Sequence, residues 1–343
     1  MSSLQHIQEL LTRKTLSPAV LKQLTDLLER QPERVMDPHK VGTRAVMSTI
    51  PTVSRRLSAI YGQFIAKHPQ LLYPGCFDWC SSVKNHAELG QLVGLNTLFD
   101  QVYVLNIKRR ADRWQRISQL LKQNGFLHFK RFEGFDGNTE PYLSQWSAYS
   151  QQLNKRAKPT AQAPRPIRHQ GSWAILKSMK ELIKEAKAKG YRRILTLQDD
   201  LLFHKDFRAK MQHLHQLPNW KLLYLGASQH LWDKVEHVEH VEHVDHIGYY
   251  YPHGTAEGAF AVAIDSSVYD LLLEQIELMT SPFDSGPLCH VQRQYPTQCL
   301  VLYPNLVIAD IRDSDLRKKR SFSGTGQTFK WDITQYRILP ELT

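Results

Sequence analysis

The run Arg192-Arg193-Ile194-Leu195-Thr196-Leu197-Gln198-Asp199-Asp200-Leu201-Leu202-Phe203 sets two adjacent carboxylates inside an otherwise apolar stretch. Ile194 to Leu197 is short and rich in strand formers, so the pattern predicts a buried strand. Burying an unpaired carboxylate is costly, and two in succession must meet a cation or open onto a cleft. The strand therefore has to end where the sheet ends. Carboxylate oxygens of this kind suit hard divalent ions such as Mg²⁺ or Mn²⁺, which keep positions open for the phosphate oxygens of a ligand. Asp is also favoured at a helix N-cap, and a strand leading into a capped helix is the plain alternative.

The rest of the chain from Phe99 onward repeats the alternation of strand and helix. Gln101 to Asn106 reads as a buried strand, and Ala111 to Asn124 as an amphipathic helix closed by Gly125. Phe129 to Phe135 reads as a second strand, and Ser172 to Lys189 as a long helix stopped by Gly190. Leu222 to Leu225, Gly258 to Ile264 and Val301 to Tyr303 are further strands, with a helix from Ser266 to Leu278. This order predicts an α/β sandwich with a largely parallel sheet. Residues 1–95 differ. Leu4, Ile7, Leu10 and Leu11, then Val20, Leu21, Leu24, Leu27 and Leu28, then Leu57, Ile60, Tyr61, Phe64 and Ile65 are helix-spaced. That region predicts a helical accessory segment for docking or assembly, leaving 96–343 as the α/β domain.

With 343 residues, 42% hydrophobic and 22% charged, the chain has material for a large core and none of the bias of a disordered protein. No apolar run reaches bilayer length, and Met1 to Lys14 carries no secretion signal, so a cytoplasmic protein is expected. Cys76, Cys80, Cys289 and Cys299 are sparse and predict reduced, structural thiols.

The net charge of +11 calls for anionic partners. The basic blocks Lys108-Arg109-Arg110, Lys155 to Arg168 and Arg317 to Arg320 lack interleaved aromatics and match no DNA-reading motif, which argues against nucleic acid. Phosphate-bearing ligands or an anionic lipid face fit better. Lys155 to Arg168, with three prolines and five basic residues, predicts a loop. Val235 to His246 is a three-residue repeat of Val, an acid and His; it suits either a surface segment with adventitious metal affinity or a metal site.

Seven short motifs follow one another in order. They are Val102 to Trp114, Phe132 to Gly137, Leu197 to Asp200, Trp220 to Gly226, Gly254 to Ala261, Pro282-Phe283-Asp284, and Tyr303 to Leu316. The succession resembles glycosyltransferase family 25, which includes lipooligosaccharide galactosyltransferases and the collagen galactosyltransferases, over residues 100 to about 320. The resemblance implies a GT-A fold, binding a nucleoside diphosphate sugar (a UDP-sugar foremost) and transferring the sugar, with galactose the candidate, with inversion. It implies Mn²⁺ or Mg²⁺ as cofactor, and a glycan or lipid-linked acceptor such as lipooligosaccharide or capsule, reached by a cytoplasmic protein peripheral to the inner membrane face.

The family's acidic triplet falls on Gln198-Asp199-Asp200, with an amide in the first place. Asp200 is then the foremost metal ligand and Asp199 a donor contact beside it. The opening motif implies nucleotide contacts by the backbone at Asn106 and by Arg109 or Arg113, whose guanidinium offers a fork for phosphate. Asp313 and Asp315 form a second Asp-x-Asp that completes the metal or sugar site, or else a surface ion-pair cluster with Arg312 and Arg317. Inversion needs a carboxylate to take the acceptor's proton. Asp284 and Glu257 are the candidates, in that order. The family's Ser-His pair before the long helix is absent here, where Gly171-Ser172-Trp173 stands. That absence, with Gln198, supports a second reading: a non-catalytic nucleotide-sugar or glycan-binding scaffold on the same fold.

Overall fold

The structure is a computed structural model and describes residues 98–126, 129–154, 165–211, 214, 217–235, 239–240, 248–313 and 322–337. The chain divides into two units, residues 1–100 with 125–128 and residues 101–124 with 129–343, and the second carries the sheet. The expected helical region 1–95 lies outside the described residues.

The elements of the second unit are β1 (Gln101–Ile107), α1 (Ala111–Gln123), β2 (Lys130–Gly134), α2 (Tyr142–Asn154), α3 (Gln170–Ala188), β3 (Arg193–Gln198), β4 (Leu201–Phe203) and α4 (Phe207–Met211). There follow β5 (Leu222–Gln229), β6 (Glu239–His240), β7 (Gly248–Tyr250), β8 (Ala256–Asp265), α5 (Tyr269–Glu277), α6 (Cys289–Gln294), β9 (Cys299–Tyr303), β10 (Val307–Ala309) and α7 (Phe322–Phe329). Every strand expected from the sequence is present within a few residues of its expected bounds.

Eight strands form one sheet in the order β2-β1-β3-β8-β5-β9-β7-β6, and β10 pairs with β4 in a small second sheet. The main sheet is mixed, which corrects the expectation of a largely parallel one. β1 is parallel to β2 and β3, and β5 to β9, but β8 runs antiparallel to both β3 and β5. The reason lies in the connections. Helical crossovers such as α1 return the chain in the same direction, whereas β5 reaches β8 by way of β6 and β7, and strand-to-strand returns run antiparallel.

In β1, Val102, Tyr103 and Val104 are buried in succession, so both faces of the sheet are covered there. On one face α3 presents Trp173, Leu176, Met179, Leu182, Ile183 and Ala186, a three-and-four spacing that puts them on one stripe. They share a core with Tyr103, Ile194, Tyr224 and Val262 of the strands and with Leu272 and Ile276 of α5. Each such aliphatic side chain removed from water contributes roughly 1.5–3 kcal/mol. Gly190 ends the α3 region at φ 69°, the left-handed conformation expected of a helix-stopping glycine.

Gly226 marks an irregularity in β5, where the register against β8 shifts. A Cβ at this position would sit 1.8 Å from the Val307 carbonyl oxygen, so only glycine lets β10 pass so close. The chain after β9 is drawn onto β5 at this point: Leu306 N donates to Leu225 O at 2.7 Å, and Asn305 Nδ2 to Ala227 O at 3.2 Å.

Cys289 and Cys299 are free and buried, and burial pushes both thiols up to about 12, so they are inert packing groups. Cys76 and Cys80 lie outside the described residues, as does the His-rich repeat apart from Val235 and the backbone of β6. Among the described residues no helix is long and apolar enough to cross a membrane.

Candidate active site

β1, β3 and β5 point their carboxyl ends the same way, and β8, running the other way, brings its amino end to the same edge of the sheet. A cleft of about 1000 Å³ opens there. This is where open α/β sheets bind ligands, because loops leaving the strand ends diverge and leave room between them.

Asp199 and Asp200 follow β3 directly and lie on the cleft lining with Asn106 of β1. Their surroundings differ. Asp199, 9% exposed, accepts from Asn106 Nδ2 at 2.6 Å on one oxygen and from Arg113 Nη1 at 3.2 Å on the other. Asn106 Nδ2 also donates to the Arg110 carbonyl at 3.0 Å, which fixes the turn between β1 and α1. Asp200 has Arg113 Nη1 at 3.8 Å, and its Oδ1 is buried with no hydrogen-bond partner among the described residues. Burial raises the pKa of both carboxyls, and the neighbouring Asp199 charge raises that of Asp200 further, against the opposing pull of Arg113. One guanidinium thus serves two carboxylates. The site leaves Asp200 Oδ1 without a hydrogen-bond partner among the described residues.

Two further elements brace it. Asp310, just past β10, donates its backbone N–H to the Asp200 carbonyl at 2.6 Å. Its own carboxylate is 2% exposed and is held by Arg116 Nη2 at 2.9 Å and Arg312 Nη2 at 2.7 Å. Although burial opposes it, these two guanidinium hydrogen bonds hold the Asp310 carboxyl below its usual range.

Arg109 and Asp136 also line the cleft and pair with each other, Nε to Oδ2, at 2.7 Å. Asp136 accepts from the backbone N–H of Asn138 as well, so it is both a turn residue and a partner of Arg109. Arg113 points to the acidic pair.

Asp284 and Glu257 reach the same cleft. Asp284 accepts from Gly258 N at 3.2 Å and Ser285 N at 2.9 Å, one on each oxygen. Gly258 takes φ 88° so that its N–H can turn to this carboxylate, and a Cβ there would come within 2.7 Å of the Phe260 ring. Glu257 is paired with Arg165 at 3.3 Å and has His230 Nε2 at 3.7 Å. Asp313 closes the short turn Ile311–Asp313; its side chain and all of Asp315 lie outside the described residues.

Asp310, Arg165, His230, Phe329 and Trp331 also line the cleft; Arg165 and Asp310 fall in stretches that the sequence marks only as a whole, and the other three carry no mark. For Asp310 a signal existed. Leu306-Val307-Ile308-Ala309-Asp310 is again a short apolar strand ending in a carboxylate, the same pattern that marked Asp199 and Asp200. Phe329 ends a helix that contains two glycines and Trp331 follows just after it, a stretch that carries no such mark.

Paired carboxylates at the strand ends and arginines around the cleft are residue types that cations and phosphate groups, respectively, can engage. Residues 99–257 match the model of glycosyltransferase family 25, described as an LPS biosynthesis protein. The match spans β1 through the first residues of β8, covers Asn106, Arg109, Arg113, Asp199 and Asp200, and supports a glycosyltransferase. No curated protein matches the chain.

Proposed function

We propose that this protein is an inverting, metal-dependent glycosyltransferase of GT-A architecture that moves a sugar from a nucleoside diphosphate, a UDP-sugar foremost, to a surface glycan such as lipooligosaccharide or capsule. The observation that carries the reading is the Asp199–Asp200 pair within the family-matched span, one carboxylate fixed by Asn106 and Arg113 and the other, from a residue on the cleft lining, with a buried unpartnered oxygen.

The residues fit a divalent cation of the Mg²⁺ or Mn²⁺ type. Asp200 Oδ1 is a buried acceptor without a donor, and Asp199 stands beside it. Among the described residues no three acidic, His or Cys groups converge as a metal cage; Asp200 and Asp199 would hold the ion, leaving positions for phosphate oxygens. Asp313 and Asp315 are further candidate ligands. When bound, the cation neutralises charge on the departing diphosphate.

The chain's own residues do the rest. Arg109, exchanging Asp136 for the ligand, and the backbone at Asn106 hold the nucleotide. Asp284 takes the proton of the acceptor hydroxyl as its oxygen bonds to the anomeric carbon and the diphosphate leaves with the bonding electrons. Asp284 is preferred to Glu257 because its recorded partners are two backbone amides, which leave lone pairs on both oxygens. The Arg165 guanidinium competes for those of Glu257.

Calorimetry with a panel of nucleoside diphosphate sugars, with and without Mn²⁺, tests the reading. One donor should bind in a metal-dependent way and be hydrolysed slowly, and Asp200→Asn should abolish both. Metal-independent donor binding without hydrolysis would favour the non-catalytic scaffold, and no binding of any donor would overturn the assignment.

A further inference from the structure

β8 extends past the end of its neighbour β3. Ala261 to Asp265 pair with β3, but Ala261 already lies opposite Leu197, and β3 ends at Gln198. From Ala256 to Phe260 the side of β8 that would face β3 needs other partners, because buried backbone groups are seldom left unpaired. Two side chains supply them. Gln292 of α6 grips the Ala256 backbone at both its polar groups: Oε1 accepts from Ala256 N at 3.3 Å, and Nε2 donates to Ala256 O at 2.8 Å. Two residues further on, Gly258 N donates to Asp284 Oδ2 at 3.2 Å.

These two side chains belong to one piece of structure. Asp284 opens a π-type turn, Asp284–Leu288, in which Leu288 N donates to Phe283 O at 3.1 Å. The turn runs directly into α6, which begins at Cys289. Gln292 therefore sets where the helical piece carrying Asp284 lies along β8. Its own amide is locked. Gln292 is fully buried, and Nε2 also donates to Tyr224 Oη of β5 at 2.7 Å, so both amide hydrogens are used. An apolar side chain of the same size would fill the space and make none of these bonds.

We infer that Gln292 is a positioning residue for Asp284, holding the carboxylate at the cleft by fastening its helical piece to Ala256. This role rests on the reading of the protein as a glycosyltransferase with Asp284 as the base. Gln292 lies beyond the 99–257 span, so the family match says nothing of it.

The test compares Gln292→Met with Tyr224→Phe in the full chain. The first keeps the volume and loses the grip on Ala256; the second removes one bond of Gln292 and leaves the grip in place. Hydrogen exchange at the Gly258 amide, read by mass spectrometry, should quicken about tenfold in Gln292→Met and stay near wild type in Tyr224→Phe. Hydrolysis of UDP-galactose, UDP-glucose and UDP-N-acetylglucosamine with Mn²⁺ gives the second readout. For the donor that the wild type hydrolyses, kcat per folded molecule should fall about 10–100-fold in Gln292→Met, with KM changed less than about twofold. Gln292→Asn, one methylene shorter, should show the same split to a smaller degree and is decisive if Gln292→Met does not fold. Unchanged Gly258 exchange, or an equal fall of kcat in Tyr224→Phe, would each overturn the inference. The two failures separate cleanly. A donor hydrolysed with unaltered kcat in the Gln292 variants overturns the positioning role alone, whereas a wild type that hydrolyses none of the donors overturns the transferase reading and the role with it.

Discussion

The Asp310 amide nitrogen donates to the Asp200 carbonyl oxygen at 2.6 Å, tying a strand end near the close of the domain to the acidic turn after β3. Asp310 holds that position because Arg116 and Arg312 grip its buried carboxylate. Asp310→Asn removes the charge both guanidiniums face, and breaking a buried ion pair costs about 3 kcal/mol. Chemical denaturation should show that loss. Turnover should fall with it at temperatures where the variant is still folded, since the Asp200 turn loses its brace; unchanged turnover would show that the contact is only architectural.

Arg113→Met leaves Asp199 and Asp200 without their shared guanidinium. The expected loss is again about 3 kcal/mol at pH 7.5. Its pH dependence has a definite sign. Without the cation the buried carboxyls are raised still further, and groups with raised carboxyl pKa values lose stability as pH rises, so the loss should shrink as pH falls toward 5. Melting curves of wild type and variant across that range decide it.

Gly226→Ala places a Cβ 1.8 Å from the Val307 carbonyl oxygen. That neighbour is backbone and cannot rotate away, so β10 must shift. Overpacking of this kind destabilises by about 3 kcal/mol. Asp310 directly follows β10, so donor binding should weaken in the same variant, measured by calorimetry at a temperature below its transition.

Asp284→Asn keeps an acceptor for one backbone amide but removes the proton acceptor. Transfer should fall by about 10²–10⁴-fold while donor affinity changes little. A fall in Glu257→Gln with Asp284→Asn still active would reassign the base.

His204 is buried, and its Nδ1 accepts from the Asp206 backbone N–H at 3.0 Å, which requires the neutral ring. Burial first, and the Lys210 and Lys205 charges after it, lower its pKa against the opposing Asp206 and Asp332. A histidine with a lowered folded pKa contributes stability above its unfolded value of about 6.5 that is lost as pH falls below it. Denaturation midpoints should drop between pH 7.5 and 5.5, and His204→Gln should flatten that drop.

How much of this was legible in the sequence differs by element. β3 and its two acids were plain, because Ile194 to Leu197 is apolar and β-forming and the carboxylates interrupt it. α3 was plain from its stripe of Trp173, Leu176, Met179 and Leu182. The direction of β8 was not, because an apolar strand reads the same whether its neighbours run with it or against it, and pairing is decided by distant residues. β4 and β10 have three residues each, too short to show a period. α7 contains Gly324 and Gly326, poor helix formers, and is held by contacts such as Trp232 to Thr328. The acidic half of the cleft was therefore readable, and the aromatic half was fixed only by tertiary packing.

The return of residues 305–309 and 322–331 onto β5 has a consequence in time. The cleft lining draws on Leu105 near the start of the domain and on Trp331 near its close. During synthesis, β1, β3 and β5 leave the ribosome well before α7, so a nascent chain carries both aspartates yet has no Asp310 brace and no aromatic wall. Such a chain presents an incomplete trough. The cleft lining is complete only when the last part of the domain has docked.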